Sequence, residues 1–361
     1  MLVNVLLIGS ILTIAAYLGW ISYLIRGQSP IINNSHQKPK SISIIICSRN
    51  DQKELTYLTN AIQQQILPHQ QVELIVVDDH SDEPIKIPDN SFIQLLTLSA
   101  SDGEGKKAAL AKGIAHAKNE WIVTLDADVM ISSKWLDTLI SSLDYTSDLC
   151  ILPIGIKKQK GVLPLFQWME FYMLQLITRG SAHRGTALLC NGAHLAFEKK
   201  AWQEDYWPQI NWNVASGDDQ FLLEAFRMRN KKIVFLDNLI GMVNTPPVLS
   251  WKALFSQRRR WSAKAGRYQL WDMQALGWIT LLANLSWILL TLLLLFKWIH
   301  PAFWIAWATY LLVEYTWMKG LTKEHPFSTL LFLLFYPLYV IITLASFLIS
   351  PTEWKGRTIK A

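Results

Sequence analysis

Cysteine is scarce in this 361-residue chain: Cys47, Cys150 and Cys190 are the only three, and no two are spaced as CxxC. That pattern excludes a disulfide framework and a cysteine zinc site, indicates no redox role, and suits a reducing compartment. Charge is scarce too, at 17% of residues against 51% hydrophobic, and the mean hydropathy is +0.19. A chain this apolar is not an ordinary soluble protein. No GxxxxGK[ST] run occurs, so no Walker loop is expected. The N-terminal apolar run lacks a basic n-region and a small-x-small site before Arg26, and is therefore read as an uncleaved anchor.

The apolar excess is local. Leu2–Ile25 and the region from about Leu276 to Ile349 carry almost no charge over lengths that can cross a bilayer as helices. Breaks at Lys297–Pro301 and Lys319–His325 divide the second region into expected spans at 276–296, 302–318 and 328–349, the middle one short and holding Glu314. Arg26, Lys38 and Lys40 follow the first run, and Arg258, Arg259, Arg260, Lys264 and Arg267 precede the second. The positive-inside bias then places the centre of the chain in the cytoplasm, on a plasma (inner) membrane. Four spans would put the C-terminus outside, whereas Lys355, Arg357 and Lys360 favour the inside, so the number of spans stays open. Net charge is +6, but the bases cluster beside apolar runs, so the bilayer is the expected partner and nucleic acid is not. The expected organisation is an anchor over 1–26, a linker over 27–40, a central domain over 41–270 with interfacial helices, and a C-terminal membrane region over 271–361 with about three spans.

Within the centre, β-branched runs alternate with helix-like segments. Strands are predicted at Ile42–Cys47, Val72–Val77, Phe92–Leu96, Trp121–Leu125, Leu149–Pro153 and Ile233–Leu236. Short apolar strands between helices imply an α/β, Rossmann-like, mostly parallel sheet covered on both faces, with ligands at the carboxyl ends of its strands. Polar clusters stand at those ends: Ser48–Asp51, Asp78–Asp82 and Asp126-Ala127-Asp128. Taken singly each is an ordinary turn or helix cap. Two carboxylates one residue apart at a strand end can also share a hard divalent cation, which can neutralise a diphosphate leaving group. Gly103-Glu-Gly105-Lys106-Lys107 enters an Ala-rich helix, a geometry that suits an anion at the helix N-terminus, although the segment taken alone reads first as a loop with solvated lysines. Val162–Leu176 is apolar but carries Gln167, Glu170 and Gln175 in one sector, and reads as an interfacial helix or a core helix.

Five motifs occur in a shared order. Ile44–Asp51, Val76–Asp82, Asp126-Ala-Asp128, Ser216-Gly-Asp-Asp219 and Gln257-Arg-Arg-Arg-Trp261 together resemble membrane-associated family-two glycosyltransferases of GT-A fold, from roughly Ser41 to Trp261 and into the flanking spans. The resemblance implies an inverting, metal-dependent hexosyltransferase of the cell envelope that uses a nucleotide-sugar, a UDP-sugar, and a lipid-like or saccharide acceptor. It implies Asp219 as the base, with Asp218 in reserve; Asp128 and Asp126 as ligands of Mg²⁺ or Mn²⁺, Asp126 also facing the ribose; Asp79 at the uracil edge; and Ser48 or Asp51 at the nucleoside. Lys106 is a diphosphate candidate. Gln257, Arg260 and Trp261 share one helical face, which lays Arg260 against the diphosphate and Trp261 by the acceptor passage, with Arg258 and Arg259 turned toward lipid phosphate.

Two positions depart from the family pattern. Ala111 stands where an Asn often follows Ala-Leu, and His194 where relatives often carry Asn, so His194 is expected to be a buried structural histidine. Other readings are a processive polysaccharide synthase, which normally devotes more spans to a channel; a non-catalytic sugar-nucleotide sensor or scaffold; and a nucleotidyltransferase, which would not require the membrane-proximal QxxRW.

Overall fold

Uninterrupted Ile and Val runs set the sheet. A computed structural model describes residues 2–28, 41–66, 71–87, 92–143, 146–207, 217–262, 264–349, 352–354 and 357–359. Most of the expected linker, and Ser216 of the fourth motif, lie outside the described residues.

Seven strands form one sheet: β1 (Ser41–Ser48), β2 (Gln71–Asp78), β3 (Ile93–Thr97), β4 (Trp121–Asp126), β5 (Leu149–Ile151), β7 (His194–Glu198) and β8 (Ile233–Phe235), in the order β3-β2-β1-β4-β7-β5-β8. All pairings are parallel except those of β7, which runs antiparallel between β4 and β5. A short parallel pair, β6 (Ile154–Ile156) with β9 (Val243–Thr245), stands beside the sheet. The six predicted strands are present; β6, β7 and β9 were not foreseen. β7 reads His-Leu-Ala-Phe-Glu and is buried along most of its length, so it lacks both the alternation and the β-branched run that mark a strand in sequence.

Alternate residues of β1 serve opposite faces, as strand geometry requires. Ile42, Ile44 and Ile46 join Leu55, Leu58 and Ile62 of α2 (Gln52–Gln63) and Trp135 and Leu136 of α4 (Trp135–Ser142). Ile45 joins Ala109 and Ile114 of α3 (Lys106–His116) and Leu222, Leu223 and Phe226 of α7 (Asp218–Met228). Each fully buried Ile or Leu contributes about 1.5–3 kcal/mol of transfer free energy. The double covering leaves only the strand ends open.

α5 (Val162–His183) follows β6 and leads back to β7 through the loop at 184–193. Its polar stripe turns inward, with Gln167 and Glu170 buried and Gln175 partly so. Gln167 exchanges hydrogen bonds with the Val248 backbone, Glu170 pairs with Arg258, and Gln175 accepts from the Ile154 amide. Its C-terminal turn crosses α1 (Leu2–Ile25) so closely that a Cβ on Gly180 would lie 2.1 Å from the Leu24 carbonyl oxygen, which is why glycine stands there.

After α6 (Lys199–Ala201), α7 and α8 (Trp251–Ser262) come α9 (Trp271–Leu295), α10 (Trp304–Trp317), α11 (Lys319–Thr322), α12 (Pro326–Ile349) and the hairpin β10 (Thr352–Trp354) with β11 (Arg357–Ile359). Among the described residues three helical stretches are long and apolar enough to cross a membrane: Val3–Ile25, Trp271–Leu295 and Pro326–Ser346. The middle C-terminal span expected at 302–318 is the 14-residue α10. At 1.5 Å per residue it extends about 21 Å, short of a hydrocarbon layer of about 30 Å.

Candidate active site

Register brings the polar clusters to one edge. Ser48 pairs with Asp78, Cys47 with Asp126, and the Asp79 amide donates to the Ser48 carbonyl at 2.9 Å. Because β7 is reversed, its N-terminal loop joins the carboxyl ends of the parallel strands: Leu125 faces His194, and Asn191–Ala193 lie beside Asp126. α7 begins at the same edge. Its N-cap Gly217 has φ of 97°, and a Cβ there would sit 2.7 Å from Lys264 Cδ, so both backbone conformation and space call for glycine.

Every residue expected of the site lines one cavity of 1270 Å³: Ser48, Asp51 and Asp79 from the first two strand ends; Lys106, Asp126 and Asp128; Asp218 and Asp219; and Gln257, Arg260 and Trp261 from α8. The cavity continues past α8 into an apolar arm walled by residues such as Leu276 and Leu281 of α9 and Phe332, Val340 and Leu344 of α12.

Charges alternate at the centre. Lys106 Nζ donates to Asp126 Oδ1 at 2.5 Å, lies 3.9 Å from Asp218, and reaches the Gly192 carbonyl at 3.4 Å. Burial pulls its pKa down, but Asp126 and Asp218 outweigh burial and hold it above the ordinary lysine value. Lys107, buried with its ammonium over the Phe221 ring, is pushed down to about 8 by desolvation.

Asp219 is held by two amides, Gly192 N at 3.0 Å and Gln220 N at 2.8 Å, with Lys264 Nζ 3.7 Å away. Burial raises its pKa, but Lys264, Lys106 and the amides outweigh that and leave it below the usual carboxylate range. Its side chain lines the cavity. Lys264, itself buried, carried no signal in the sequence beyond its charge.

Asp79 Oδ1 accepts the Gly105 amide at 3.0 Å, which ties the glycine loop to the second strand end. Burial pushes the thiols of Cys47 and Cys190 up, consistent with packing residues rather than nucleophiles.

Arg258 corrects the sequence reading. It does not face lipid: it is buried, its guanidinium held by Glu170 (Nε at 3.1 Å, Nη2 at 2.5 Å) and stacked over the Trp261 ring at 4.1 Å, while Nη1 donates to Gln257 Oε1. Tyr339 of α12 donates to the same Glu170 at 3.0 Å. Arg259 is half-buried. His194 is buried and bonded at both ring nitrogens, Nδ1 to the Pro153 carbonyl at 2.9 Å and Nε2 to the Trp135 indole N–H at 3.1 Å. Since the indole donates and the carbonyl accepts, the ring is neutral, and burial lowers its pKa to about 4.

Among the described residues no three His, Cys, Asp or Glu side chains stand close enough to hold a metal ion. Asp126 and Asp128 supply hard oxygen ligands at the cavity wall, a donor set that fits Mg²⁺ or Mn²⁺ when phosphate oxygens and water complete the shell.

The glycosyl transferase family 2 model matches residues 43–213. The chain is 31% identical, over 157 aligned residues, to a 4,4'-diaponeurosporenoate glycosyltransferase of Staphylococcus aureus (strain bovine RF122 / ET3-1), covering 38% of this chain and 41% of that one; the protein of the same name from strain USA300 is 30% identical over the same length. The match thus spans about two fifths of these curated relatives. Among solved structures, the mannosyltransferase PcManGT from Pyrobaculum calidifontis, in complex with GDP-Man and Mn2+, superposes over 95% of this chain and 99% of its own with a TM-score of 0.57 at 16% identity. Motif order, sheet topology and the structural match agree on a GT-A-type fold, within which residues 43–213 are similar to glycosyl transferase family 2.

Proposed function

We propose that the protein is a membrane-bound, inverting hexosyltransferase that moves a sugar from a nucleotide-sugar, a UDP-sugar, to a lipid-like acceptor. One observation carries this reading: a single cavity joins the carboxylate and lysine cluster at the sheet edge to an apolar arm between α5, α9 and α12. A donor fits the polar end and a lipid fits the arm, so the two reacting atoms meet beside Asp219. In this scheme Asp219 takes the acceptor proton, Gly192 N and Lys264 fix its orientation, and Lys106 and Arg260 hold the diphosphate. Asp128 and Asp126 would ligate Mg²⁺ or Mn²⁺, which when bound neutralises the departing diphosphate. Asp79, Ser48 and Asp51 seat the nucleoside.

Two further supports come from the relatives: one kind is named for glycosylating 4,4'-diaponeurosporenoate, and a structural neighbour was solved with GDP-Man and Mn2+. Arg26 after α1 and the basic run before α9 favour a catalytic domain on the cytoplasmic side of the membrane.

The test is nucleotide release by purified protein in lipid nanodiscs, over a panel of UDP- and GDP-sugars with membrane lipid extract, with Mn²⁺, Mg²⁺ or chelator, alongside Asp219→Asn. The reading requires metal-dependent release with one donor, a lipid product of matching mass, and loss in the variant. Absence of both donor binding and turnover would sink it.

A further inference from the structure

The two most exposed large apolar side chains among the described residues lie on none of the stretches long enough to span a membrane: Leu249 is 82% exposed and Val162 80%. Leu249 stands in the turn before α8 and Val162 in the first turn of α5, and the fold brings them together. The Lys157 amide donates to the Thr245 carbonyl at 2.9 Å, and Gln167 exchanges hydrogen bonds with the Val248 backbone. The Phe166 ring, one turn along α5 from Val162, meets Trp251 at 5.6 Å and Phe332 of α12 at 5.0 Å. Lys158 reaches Glu324 at 2.6 Å and Trp168 meets His325 at 5.8 Å, which adds the start of α12, where Phe327 is exposed. The charges around these tips have one sign. Lys157, Lys158, Lys160, Lys252 and Lys323 are exposed, and the three segments that carry them, 157–162, 249–252 and 323–327, hold a single acidic residue, Glu324, already paired with Lys158.

We propose that these tips and lysines form a seat on which the catalytic domain rests in an anionic leaflet, with Val162, Leu249 and Trp251 at the acyl boundary and Lys157, Lys160 and Lys252 on headgroup phosphates. The chemistry selects lipid. An apolar tip ringed by lysines is served at an interface where the tip leaves water while each ammonium stays among phosphates. Protein interfaces, by contrast, are depleted of lysine. The surface is also continuous with α12, itself long and apolar enough to span. The lipid contact thus moves from Arg258, whose charge Glu170 takes up, to lysines outside the five motifs. The same segments wall the cavity through Ile156, Val248 and Phe332, so the seat brings the apolar arm to the depth at which a lipid acceptor lies. The inference rests on the membrane-bound part of the proposed function and not on its chemistry.

In the experiment a fluorescent amino acid replaces Val162, Leu249, Leu285 or Tyr57, one at a time, in the full chain, with monodisperse elution as the check on folding. The nanodiscs hold equal phosphatidylcholine and phosphatidylglycerol, one or the other brominated on its acyl chains to quench nearby emission. Leu285, partly exposed on α9, reports a span, and Tyr57, exposed on α2, reports water. The expected result is quenching at 162 and 249 comparable to that at 285, and none at 57. At 249 phosphatidylglycerol should associate roughly fivefold more strongly than phosphatidylcholine. That preference should vanish in the triple variant Lys157→Gln, Lys160→Gln, Lys252→Gln. Quenching at 285 but not at 162 and 249 would hand the tips to a protein partner or a second copy and overturn the seat. Equal quenching by the two lipids, or a preference unchanged in the triple variant, overturns the headgroup contact. No quenching even at 285 removes the membrane-bound reading and the seat with it. Nucleotide release is read separately, so failure of the transferase chemistry shows there whatever the quenching does.

Discussion

Removing the Glu170 carboxylate strands a buried charge. Arg258 is 5% exposed, and its counter-charge is the Glu170 carboxylate that Tyr339 also contacts. Breaking such a pair from one side costs about 3–5 kcal/mol, whereas replacing both members by apolar groups of similar volume is often neutral. Glu170→Leu and Arg258→Met are therefore each expected to destabilise by about 3–5 kcal/mol, a large fraction of a typical total of about 5–15 kcal/mol. The double variant should recover most of that loss. Activity should not recover with it, because Arg258 also stacks on Trp261 and bonds Gln257, and no apolar residue orients both. The assay is reversible unfolding in mixed micelles followed by tryptophan fluorescence, with nucleotide release measured on the same preparations. Single variants costing under about 1 kcal/mol, additive losses in the double, or a stable double variant with wild-type kcat would refute the reasoning.

Asp219→Asn should lower kcat by about 10²–10⁴-fold with donor affinity little changed, since the amide keeps the shape but not the proton acceptor; isothermal titration with UDP and single-turnover kinetics separate the two. Lys264→Met removes a cation 3.7 Å from Asp219, so the Asp219 pKa rises and the acid limb of the pH–turnover profile moves to higher pH; an unmoved limb would remove Lys264 from the site. For His194 the folded pKa, about 4, lies below the ordinary 6.5, so the unfolded chain binds the proton first and stability falls as pH drops from 6.5 toward 4. The loss is about 1.4 kcal/mol at pH 5.5 and about 3 kcal/mol below pH 4, and should be missing from His194→Gln in denaturation compared at pH 7.5 and 5.5.

Elements with a local code were legible. β1 and β2 announce themselves by Ile and Val runs, and the strand-end carboxylates by their place after those runs, because a covered parallel sheet needs apolar strands and leaves its ends for polar groups. What depends on distant partners was not. Arg258 and Glu170 are 88 residues apart, and a basic residue beside an apolar run reads as a lipid contact until the fold supplies its carboxylate. β7 carries a polar first residue whose two hydrogen bonds come from β5's end and α4. α10 is apolar enough for a span, but its length is set where Met318 ends the helix and its face by Tyr17 and Trp287.

The reversal of β7 has a wider meaning for how such a site can change. In a wholly parallel sheet the loop entering a strand lies on the edge opposite the ligand, and only outgoing loops can be remodelled for substrate. Turning one strand around hands the ligand edge an incoming loop as well, here the stretch from Arg184 to Ala193, directly continuous with α5. Its last residues are tied to the site through Gly192, which meets Asp219 and Lys106, so on the proposed function it is the earlier part of the loop, before Cys190, that could lengthen or shorten and alter what receives the sugar while the strand ends that would hold the donor are kept.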